Sequence, residues 1–301
     1  MTKTREIGGY FNETTGGDNK IYSKGNIRNN SHGDIAQNGF EGGISFNNPE
    51  KPKTVSKTCY CNRDFTVPEL NKIVDAMRAT EGLSPAPLFS ASNCPLSASE
   101  KTYGRFTEEF NRTCKIHNIN SCIQKIHFFA QTYWESDKYA TTVEYADGSG
   151  YNPSERSDAY AMGNTQEGDG PKYKGRGVIQ LTWRSAYLAY FKYLISKKSP
   201  YVGNKTLGQL ITRGSDDAGT LIGKHLELAL DASGWYFDVY KRMPRDSPNY
   251  NAQFGDQYID DISKAVNGGG NGLRERNKIY YRLKDVFKIT KCINFHKIKN
   301  E

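Results

Sequence analysis

The composition of the chain and the spacing of its apolar residues change at about residue 58, and this change limits the fold more than any other feature. Residues 1–58 are rich in glycine and asparagine and carry turn pairs such as Gly8-Gly9 and Gly42-Gly43. From Cys59 onward, apolar residues recur at helical spacing and strand-like runs are few. We therefore predict a mainly α-helical domain over residues 59–301, preceded over residues 1–58 by a short, β-like or flexible Gly/Asn-rich arm and linker.

Several helix starts are marked by capping residues. Thr66-Val67-Pro68-Glu69 is a capping box with proline in the first turn, which predicts a helix from Thr66. Ser97-Ala98-Ser99-Glu100 repeats the box and predicts a second helix, and Asn120 or Ser121 is expected to begin a third. Apolar periodicity predicts further helices over residues 217–238, 256–266 and 273–288.

Composition excludes some classes of protein and leaves others open. No stretch approaches the roughly 18–20 apolar residues of a membrane span, and no apolar run follows the basic N-terminus, so we expect no span and no ordinary secretory signal. The net charge of +8 favours polyanionic partners. Nucleic acid and an anionic bacterial wall both fit this charge, while the dispersed lysines and arginines also fit a simple solvated surface.

The chain has six cysteines, and their even number is compatible with disulfides, although six allow fifteen pairings. The spacing Cys59-Tyr60-Cys61 is not the C-x-x-C of most zinc sites. We therefore expect two or three disulfides formed after export, with buried free thiols as the alternative, and we expect no metal and no cofactor. The six are Cys59, Cys61, Cys94, Cys114, Cys122 and Cys292.

Two glutamates, Glu135 and Glu144, carry the candidate chemistry. Cleavage of a glycosidic bond needs one carboxylic acid that donates a proton and a second carboxylate that activates water or stabilises the cation. Glu135 lies at the end of the third predicted helix, beside Tyr133 and Trp134. The negative end of the helix and the apolar wall of these rings both disfavour a charged carboxylate, so we predict that the pKa of Glu135 is raised and that it acts as the acid. Glu144, in a looser polar segment, suits a base. By spacing alone, two ordinary surface residues would explain the pair better than a catalytic role.

A glycine-rich segment follows over residues 163–187. Its glycines, among them Gly175 and Gly177, predict a tight loop that permits close approach to a ligand. Gln180 and Thr182 alternate with apolar residues, so their polar side chains are expected to share one face that suits sugar hydroxyl and N-acetyl groups. No Walker Lys-Ser/Thr follows the glycines, which excludes a phosphate loop.

Three blocks in this order resemble glycoside hydrolase family 19, as found in chitinases and phage endolysins of the lysozyme-like superfamily. Residues 128–136, FFAQTYWES, are similar to the family's FLAQ-x-x-HES. Residues 163–182 resemble GNTQ-x-GDG-x-x-(Y/F)-x-GRG-x-IQ(L/I)T, and residues 262–276 resemble I-x-x-x-(I/V)NGG-x-NGL-x-x-R. The resemblance implies a two-lobed, lysozyme-like helical domain.

The resemblance also implies catalytic roles. Glu135 matches the general acid, Glu144 matches the second glutamate of the endolysin-like branch, and Thr182 matches the hydroxyl residue that helps to hold the attacking water. The family inverts the anomeric centre, which implies carboxyl groups about 6.5–9.5 Å apart with water between them. In the plant-chitinase branch the base lies further along the chain, so Glu155 competes with Glu144.

Substrate contacts follow from the same alignment and from the aromatic content. Gln180 and Asn267 match sugar-binding positions, and Arg276 matches the arginine beside the catalytic carboxylates, where its charge would keep one of them ionised. Because aromatic rings stack on sugars, we add three candidates for the cleft. These are Tyr145, Tyr173 and Trp183.

The sequence departs from the family pattern at three places. Trp134 replaces the histidine before the acid, Asp137-Lys138 replaces Gly-Gly, and Ala186 replaces an asparagine. The first and last departures remove polar groups from expected positions near substrate. They leave substrate choice open and keep a degenerate sugar-binding protein as an alternative.

Together these features predict hydrolysis of β-1,4 bonds in peptidoglycan, with a chitinase as the nearest alternative. A protein made in the cytoplasm without a signal peptide would be an endolysin or an injected antibacterial effector, active in the periplasm or cell wall of a target bacterium. Its partners would be the polysaccharide, an immunity protein and a secretion-machine component, but not nucleic acid. A cysteine peptidase is a distant alternative, with Cys122 or Cys114 as nucleophile and His127 or His225 as base, although His127 is expected to be a packed helix residue.

Overall fold

The computed structural model describes residues 59–211, 218–243 and 246–292. The predicted arm over residues 1–58 lies outside these residues, so its extent and conformation stay predictions. The described residues contain eleven α-helices and no strand, with isolated bridges only at Arg176, which confirms the mainly α prediction. The helices are α1 (Val67–Thr80), α2 (Tyr103–Ile116), α3 (Cys122–Glu135), α4 (Asp169–Lys172), α5 (Arg184–Ser196), α6 (Leu207–Ile211), α7 (Ala218–Lys224), α8 (Leu226–Trp235), α9 (Pro248–Ala252), α10 (Ile259–Asn267) and α11 (Leu273–Val286).

Two of the three predicted helix starts are confirmed. Helix α1 begins after Thr66, whose backbone N–H donates to Glu69 Oε2 at 2.9 Å in the predicted capping box. Helix α3 begins after Ser121, which exchanges the same pair of hydrogen bonds with Gln124. These starts were predictable because a capping box is satisfied within four consecutive residues.

The prediction of a helix from Ser97 is wrong. Helix α2 begins later, after Thr102, whose hydroxyl accepts the N–H of Arg105 at 3.2 Å. The carboxylate of Glu100 instead accepts the N–H of Leu226 at 3.0 Å, at the first residue of α8. An acid expected to cap its own helix therefore caps another one, which satisfies one of the four orphan donors at that terminus.

The remaining predicted helices are found with shifted boundaries. The helix predicted over residues 217–238 is divided at His225 into α7 and α8, and a π-helix, Tyr236–Tyr240, follows α8 directly. The helix predicted over residues 256–266 is a 3-10 turn, Gly255–Tyr258, followed by α10. Helix α11 covers most of the last predicted segment. Within the described chain, none of the helices is both long and apolar enough to cross a membrane.

Two hydrophobic cores lie in the described domain, in agreement with the two-lobed organisation that the resemblance implies. The first core is formed around α1, α2, α3 and α11, and the rings of Phe110 and Phe129 stack at its centre with centroids 4.2 Å apart. The second core is formed around α5 and α8 by a cluster of aromatic residues that includes Tyr187, Tyr190 and Trp235. The candidate site draws on residues of both cores.

All six cysteines are free in the structure, in contrast to the disulfides expected from the sequence. Five of them are buried, and four converge at the first residue of α3. The alternative of buried thiols therefore describes the chain better than cross-links do.

Candidate active site

A cleft of about 600 Å³ opens at the C-terminal end of α3. Loops after α3, the segment before α5, the π-helix and the end of α10 contribute its walls. Six residues predicted from the sequence line this one cleft, although they are spread over more than 130 positions. They are Glu135, Glu144, Gln180, Thr182, Trp183 and Asn267.

Glu135 is the last residue of α3, and its side chain is only 16% exposed. Burial raises the pKa of this carboxyl above its ordinary value, while Arg276, which donates from Nη2 to Glu135 Oε1, acts in the opposite direction. Arg276 is itself buried and donates from Nη1 to the carbonyl of Asn271 at 2.6 Å. The arginine that the sequence placed beside the carboxylates thus pairs with the expected acid, and burial outweighs its charge.

The chain leaves α3 through three consecutive residues in the left-handed region. Asp137, Lys138 and Tyr139 have φ values of 48°, 62° and 59°. This is where the family pattern has Gly-Gly, which would adopt such angles without the steric cost of a Cβ. The N–H of Lys138 donates to Tyr133 O at 2.7 Å, and Tyr139 O accepts from Phe89 N at 2.7 Å, so the surrounding structure holds the strained turn.

Glu144 is half-buried, and each of its carboxylate oxygens accepts a hydrogen bond. Tyr151 Oη donates to Oε1 at 2.9 Å, and the backbone N–H of Gly175 donates to Oε2 at 3.0 Å. Burial and the neighbouring Glu144 charge raise the pKa of Tyr151 to about 12, so its phenol remains a donor. An arrangement in which both oxygens accept fits an ionised carboxylate.

Gln180 and Thr182 enter the cleft as half-buried residues, while Ile179 and Leu181 are buried. The predicted alternation is therefore present, but on a turn with an isolated bridge and not on a strand. Gln180 has a positive φ of 54°, and Thr182 Oγ1 donates to the carbonyl of Gln180 at 2.8 Å. The Thr182 oxygen keeps acceptor capacity that a water molecule can use.

Three other candidates lie outside the cleft lining. Tyr173 is 1% exposed and packs in the second core with its ring 5.4 Å from that of Tyr187, which corrects its prediction as a cleft residue. Tyr145 is 60% exposed, and its hydroxyl donates to Asp137 Oδ2 at 2.9 Å instead of facing a sugar site. Glu155, the competing base, is exposed and does not line the cleft.

The departures from the family pattern have packing roles. Trp134 lies so close to Gly272 that a Cβ added there would overlap the indole Nε1, and Gly272 directly precedes α11, which carries Arg276. Ala186 is 2% exposed and lies in the second core. The alanine that replaces the family's asparagine therefore removes no polar group from the cleft lining.

Sequence reasoning missed several residues of the cleft. Tyr151 and Arg156 pack against Trp183, with the Tyr151 ring centroid 5.0 Å away and the Arg156 guanidinium 5.0 Å above the indole. Tyr236 and Lys241 lie in and after the π-helix, an element often found at functional sites. Nothing in the local pattern distinguishes Tyr151 among 20 tyrosines.

The geometry does not assemble a cysteine peptidase from the residues considered for it. His127 is fully buried, its Nε2 lies 3.1 Å from Gly255 O, and burial lowers its pKa to about 4. Cys122 contacts other cysteines, and burial raises the pKa of Cys114 to about 12. The His225 ring packs against Tyr201 with centroids 5.0 Å apart.

Comparison with known proteins agrees with the resemblance of the three sequence blocks to glycoside hydrolase family 19. No protein-family model matches the chain. The chain is 28% identical over 121 residues to a glycosyl hydrolase family 19 domain-containing protein of Haemophilus influenzae, an alignment that covers 40% of this chain and 46% of the relative. The chain therefore spans about half the length of the curated relative that it matches.

Solved structures with weaker likeness include a bacterial family 19 chitinase, at 18% identity and a TM-score of 0.45, covering 72% of this chain and 93% of that chain. Chitinase C from Streptomyces griseus matches at 15% identity and a TM-score of 0.39, covering 72% of this chain and 76% of that chain. Likeness at this level assigns neither site residues nor a substrate. Over 121 residues the chain is thus similar to a protein named for a glycosyl hydrolase family 19 domain, the family that the three motif blocks resemble.

Proposed function

We propose that this protein hydrolyses β-1,4 glycosidic bonds of peptidoglycan by an inverting mechanism, with Glu135 as general acid and Glu144 as general base. The observation that carries the proposal is that two carboxyl groups in different environments line one cleft. One is largely buried beside an arginine, and the other accepts two hydrogen bonds. Relationship to family 19 supports hydrolysis of a glycan.

The acid role of Glu135 rests on its raised pKa. A carboxyl that keeps its proton nearer to neutral pH can donate it to the leaving glycosidic oxygen. Arg276 limits the rise in pKa, so that Glu135 can also lose its proton within the reaction. The negative end of α3 acts on Glu135 in the same direction as burial.

The base role of Glu144 rests on its donors. Tyr151 and the N–H of Gly175 orient the carboxylate, and Thr182 lines the same cleft with a hydroxyl that can hold the attacking water. In an inverting reaction Glu144 takes a proton from this water while Glu135 protonates the leaving group. Glu155 is the weaker candidate because it is exposed away from the cleft.

Peptidoglycan is favoured over chitin by charge. The whole chain carries a net charge of +8, and Lys241 lines the cleft, where Arg156 is paired with Asp158 at 2.8 Å. Peptidoglycan presents lactyl and peptide carboxylates beside its sugar ring, whereas chitin is neutral, so the basic charge of the chain and Lys241 in the cleft favour the former. Gln180 and Asn267 supply amide groups for N-acetyl and hydroxyl contacts, which both polymers offer.

The biological setting belongs to the same proposal. A basic wall hydrolase of this kind would serve as an endolysin or as an antibacterial effector that acts in the periplasm or cell wall of a target bacterium. An effector would require a secretion-machine component for delivery and an immunity protein in the producing cell. The domain over residues 59–301 would carry the chemistry, and residues 1–58 would serve docking or delivery.

The test is release of new reducing ends from purified sacculi and, separately, from chitin oligomers. We expect cleavage of sacculi, and mass analysis of the products would identify the bond. Glu135→Gln and Glu144→Gln should each abolish most of the activity, whereas Glu155→Gln, the matched control, should retain it. Cleavage of chitin alone would make the protein a chitinase. Sugar binding without cleavage of either polymer would make it a degenerate binding protein.

A further inference from the structure

Four cysteines outside the cleft converge on one point, although the sequence gives no sign of it. Cys59 and Cys61 precede α1, Cys122 is the first residue of α3, and Cys292 follows α11. Their four Sγ atoms all lie within 4.8 Å of one another, and only Cys61 is partly exposed. The proposed hydrolysis uses none of them.

The sulfur spacing is that of a metal site and not of a disulfide. Cys59 Sγ lies 3.8 Å from Cys122 Sγ and 3.4 Å from Cys292 Sγ. Cys61 Sγ lies 3.4 Å from Cys122 Sγ and 3.2 Å from Cys292 Sγ. Bonded sulfurs would be about 2.05 Å apart, whereas four thiolates around zinc, each about 2.3 Å from the metal, lie about 3.8 Å apart along the edges of a tetrahedron.

Backbone N–H groups donate to two of the four sulfur atoms. The backbone N–H of Tyr60 donates to Cys122 Sγ at 3.1 Å, and the N–H of Cys122 donates to Cys61 Sγ at 3.1 Å. Cys122 stands at the positive end of the α3 dipole. The buried amine of Lys125 lies in the same corner and donates to the carbonyls of Tyr60 and Arg63 at 2.7 Å each. Backbone donors of this kind are the outer partners that orient thiolate ligands, and Lys125 holds the segment from Tyr60 to Arg63 that carries Cys61.

We propose that Cys59, Cys61, Cys122 and Cys292 bind one zinc ion in a tetrahedral, four-thiolate site. On binding, each thiol releases its proton to solvent and each sulfur forms one bond to Zn²⁺, with no change in oxidation state. Four protein ligands leave no open position, so the site is structural and not catalytic. It corrects the sequence expectation that the chain holds no metal.

The position of the site indicates what the metal does. It joins the first described residues of the domain, the start of α3 and the last described residue, and Cys59 and Cys292 are 233 positions apart. Cross-linking such distant segments removes conformational freedom from the unfolded chain, as a disulfide would. The site lies at the opposite end of α3 from Glu135, about 20 Å away along a 14-residue helix, and so fixes the helix that carries the acid.

The first test is elemental analysis of the untagged full-length protein. We expect about one zinc per chain, and Co²⁺ replacement should give the strong visible d–d bands and thiolate charge-transfer absorption of a tetrahedral sulfur site. After chelation and anaerobic unfolding, all six thiols should react with a thiol reagent. Reaction of Cys94 and Cys114 alone would mean that the cluster forms two disulfides, and the proposal would be overturned. Iron in place of zinc would overturn the assignment of the metal.

The second test compares matched variants. Cys122→Ser should lose zinc and lower Tm by on the order of 10 °C or more, whereas Cys94→Ser, at a buried cysteine outside the cluster, should keep the metal. If Cys122→Ser does not fold, the wild-type protein answers the question, because chelation should lower its Tm and added Zn²⁺, but not Mg²⁺, should restore it. Equal zinc in both variants, or a Tm that does not respond to chelation and refilling, would refute the site.

Discussion

The two ends of helix α3 hold opposite kinds of site. At its N-terminus, Cys122 joins three other cysteines in a cluster of which only Cys61 is partly exposed. At its C-terminus, Glu135 lines an open cleft of about 600 Å³. The helix dipole favours a thiolate at the first position and disfavours a carboxylate at the last, so one element supplies an anion-stabilising end and a proton-retaining end.

Burial has different consequences at the two ends of helix α3. The sulfur atoms lie against one another, and two of them accept backbone N–H groups, which suits a bound cation. Glu135 has one cationic partner, Arg276, and otherwise faces the cleft, so its proton can be exchanged with a ligand. Stability should therefore depend on the first end and reaction rate on the second.

The largest expected effect separates these two properties. Glu135→Gln should lower the rate of reducing-end release about 10²–10⁴-fold because it removes the proton donor, with little change in Tm, since the amide oxygen can still accept from Arg276. Cys122→Ser should lower Tm strongly and leave kcat of the folded fraction near the wild-type value. Rate assays paired with thermal melts check both. A large Tm loss in Glu135→Gln, or a loss of kcat in folded Cys122→Ser, would break the distinction between the ends.

The next effect concerns how Glu144 is held in the cleft that it shares with Glu135. Tyr151→Phe removes the phenolic donor to Glu144 Oε1, a hydrogen bond to a charged group, and should lower kcat about tenfold with KM little changed, because Tyr151 acts through the carboxylate. Tyr145→Phe is the matched control, since it removes a similar bond to Asp137 at an exposed position. Equal rates for the two variants would show that Tyr151 does not position the base.

A smaller effect is expected in the pH profile. Glu135 must be protonated to act, so activity should fall as pH rises through its raised pKa. Arg276 opposes that rise, and Arg276→Gln should therefore move the alkaline limb of kcat/KM to higher pH, measured where the variant remains folded. Arg274→Gln, at an exposed position on the same helix, should leave the limb in place. A shift to lower pH in Arg276→Gln would contradict the pairing.

The smallest expected effect lies in the turn that leaves α3. Lys138 has a φ of 62° where the family pattern has glycine. Lys138→Gly should raise the free energy of unfolding by about 0.5 kcal/mol, because relief of the Cβ clash exceeds the added freedom of the unfolded chain. Lys138→Ala keeps the Cβ and should not stabilise. Both variants lose the ion pair of Lys138 with Asp137, so urea unfolding of the two isolates the Cβ, and a glycine variant no more stable than the alanine variant would mean that the turn is not strained.

Features whose hydrogen bonds join residues only a few positions apart could be predicted from the sequence. Helices begin as expected at the capping box of Thr66 and at Ser121, one of the two starts expected for the third helix, because the capping hydrogen bonds are local. The glutamates and the Gly163–Thr182 block were recognisable because residue identity and order carry the resemblance. Glu100 was misread because its partner, the N–H of Leu226, lies 126 positions away.

Tertiary structure alone decided which of several similar residues reach the cleft. Tyr173 and Trp183 are ten positions apart in the glycine-rich segment over residues 163–187, yet the first packs in the second core and the second lines the cleft with Tyr151. Local sequence cannot distinguish them, because side-chain direction there depends on turns with positive φ at Gln180 and Trp183.

By itself, the sequence determined a helical domain, its resemblance to family 19 and the residues expected to do the chemistry. Only the fold decided that Arg276 pairs with Glu135, that Tyr151 holds Glu144 and that four cysteines meet at the start of α3. The reason is physical. Helix propensity and capping act over a few residues, whereas burial, ion pairs and sulfur clusters depend on segments that only packing brings together.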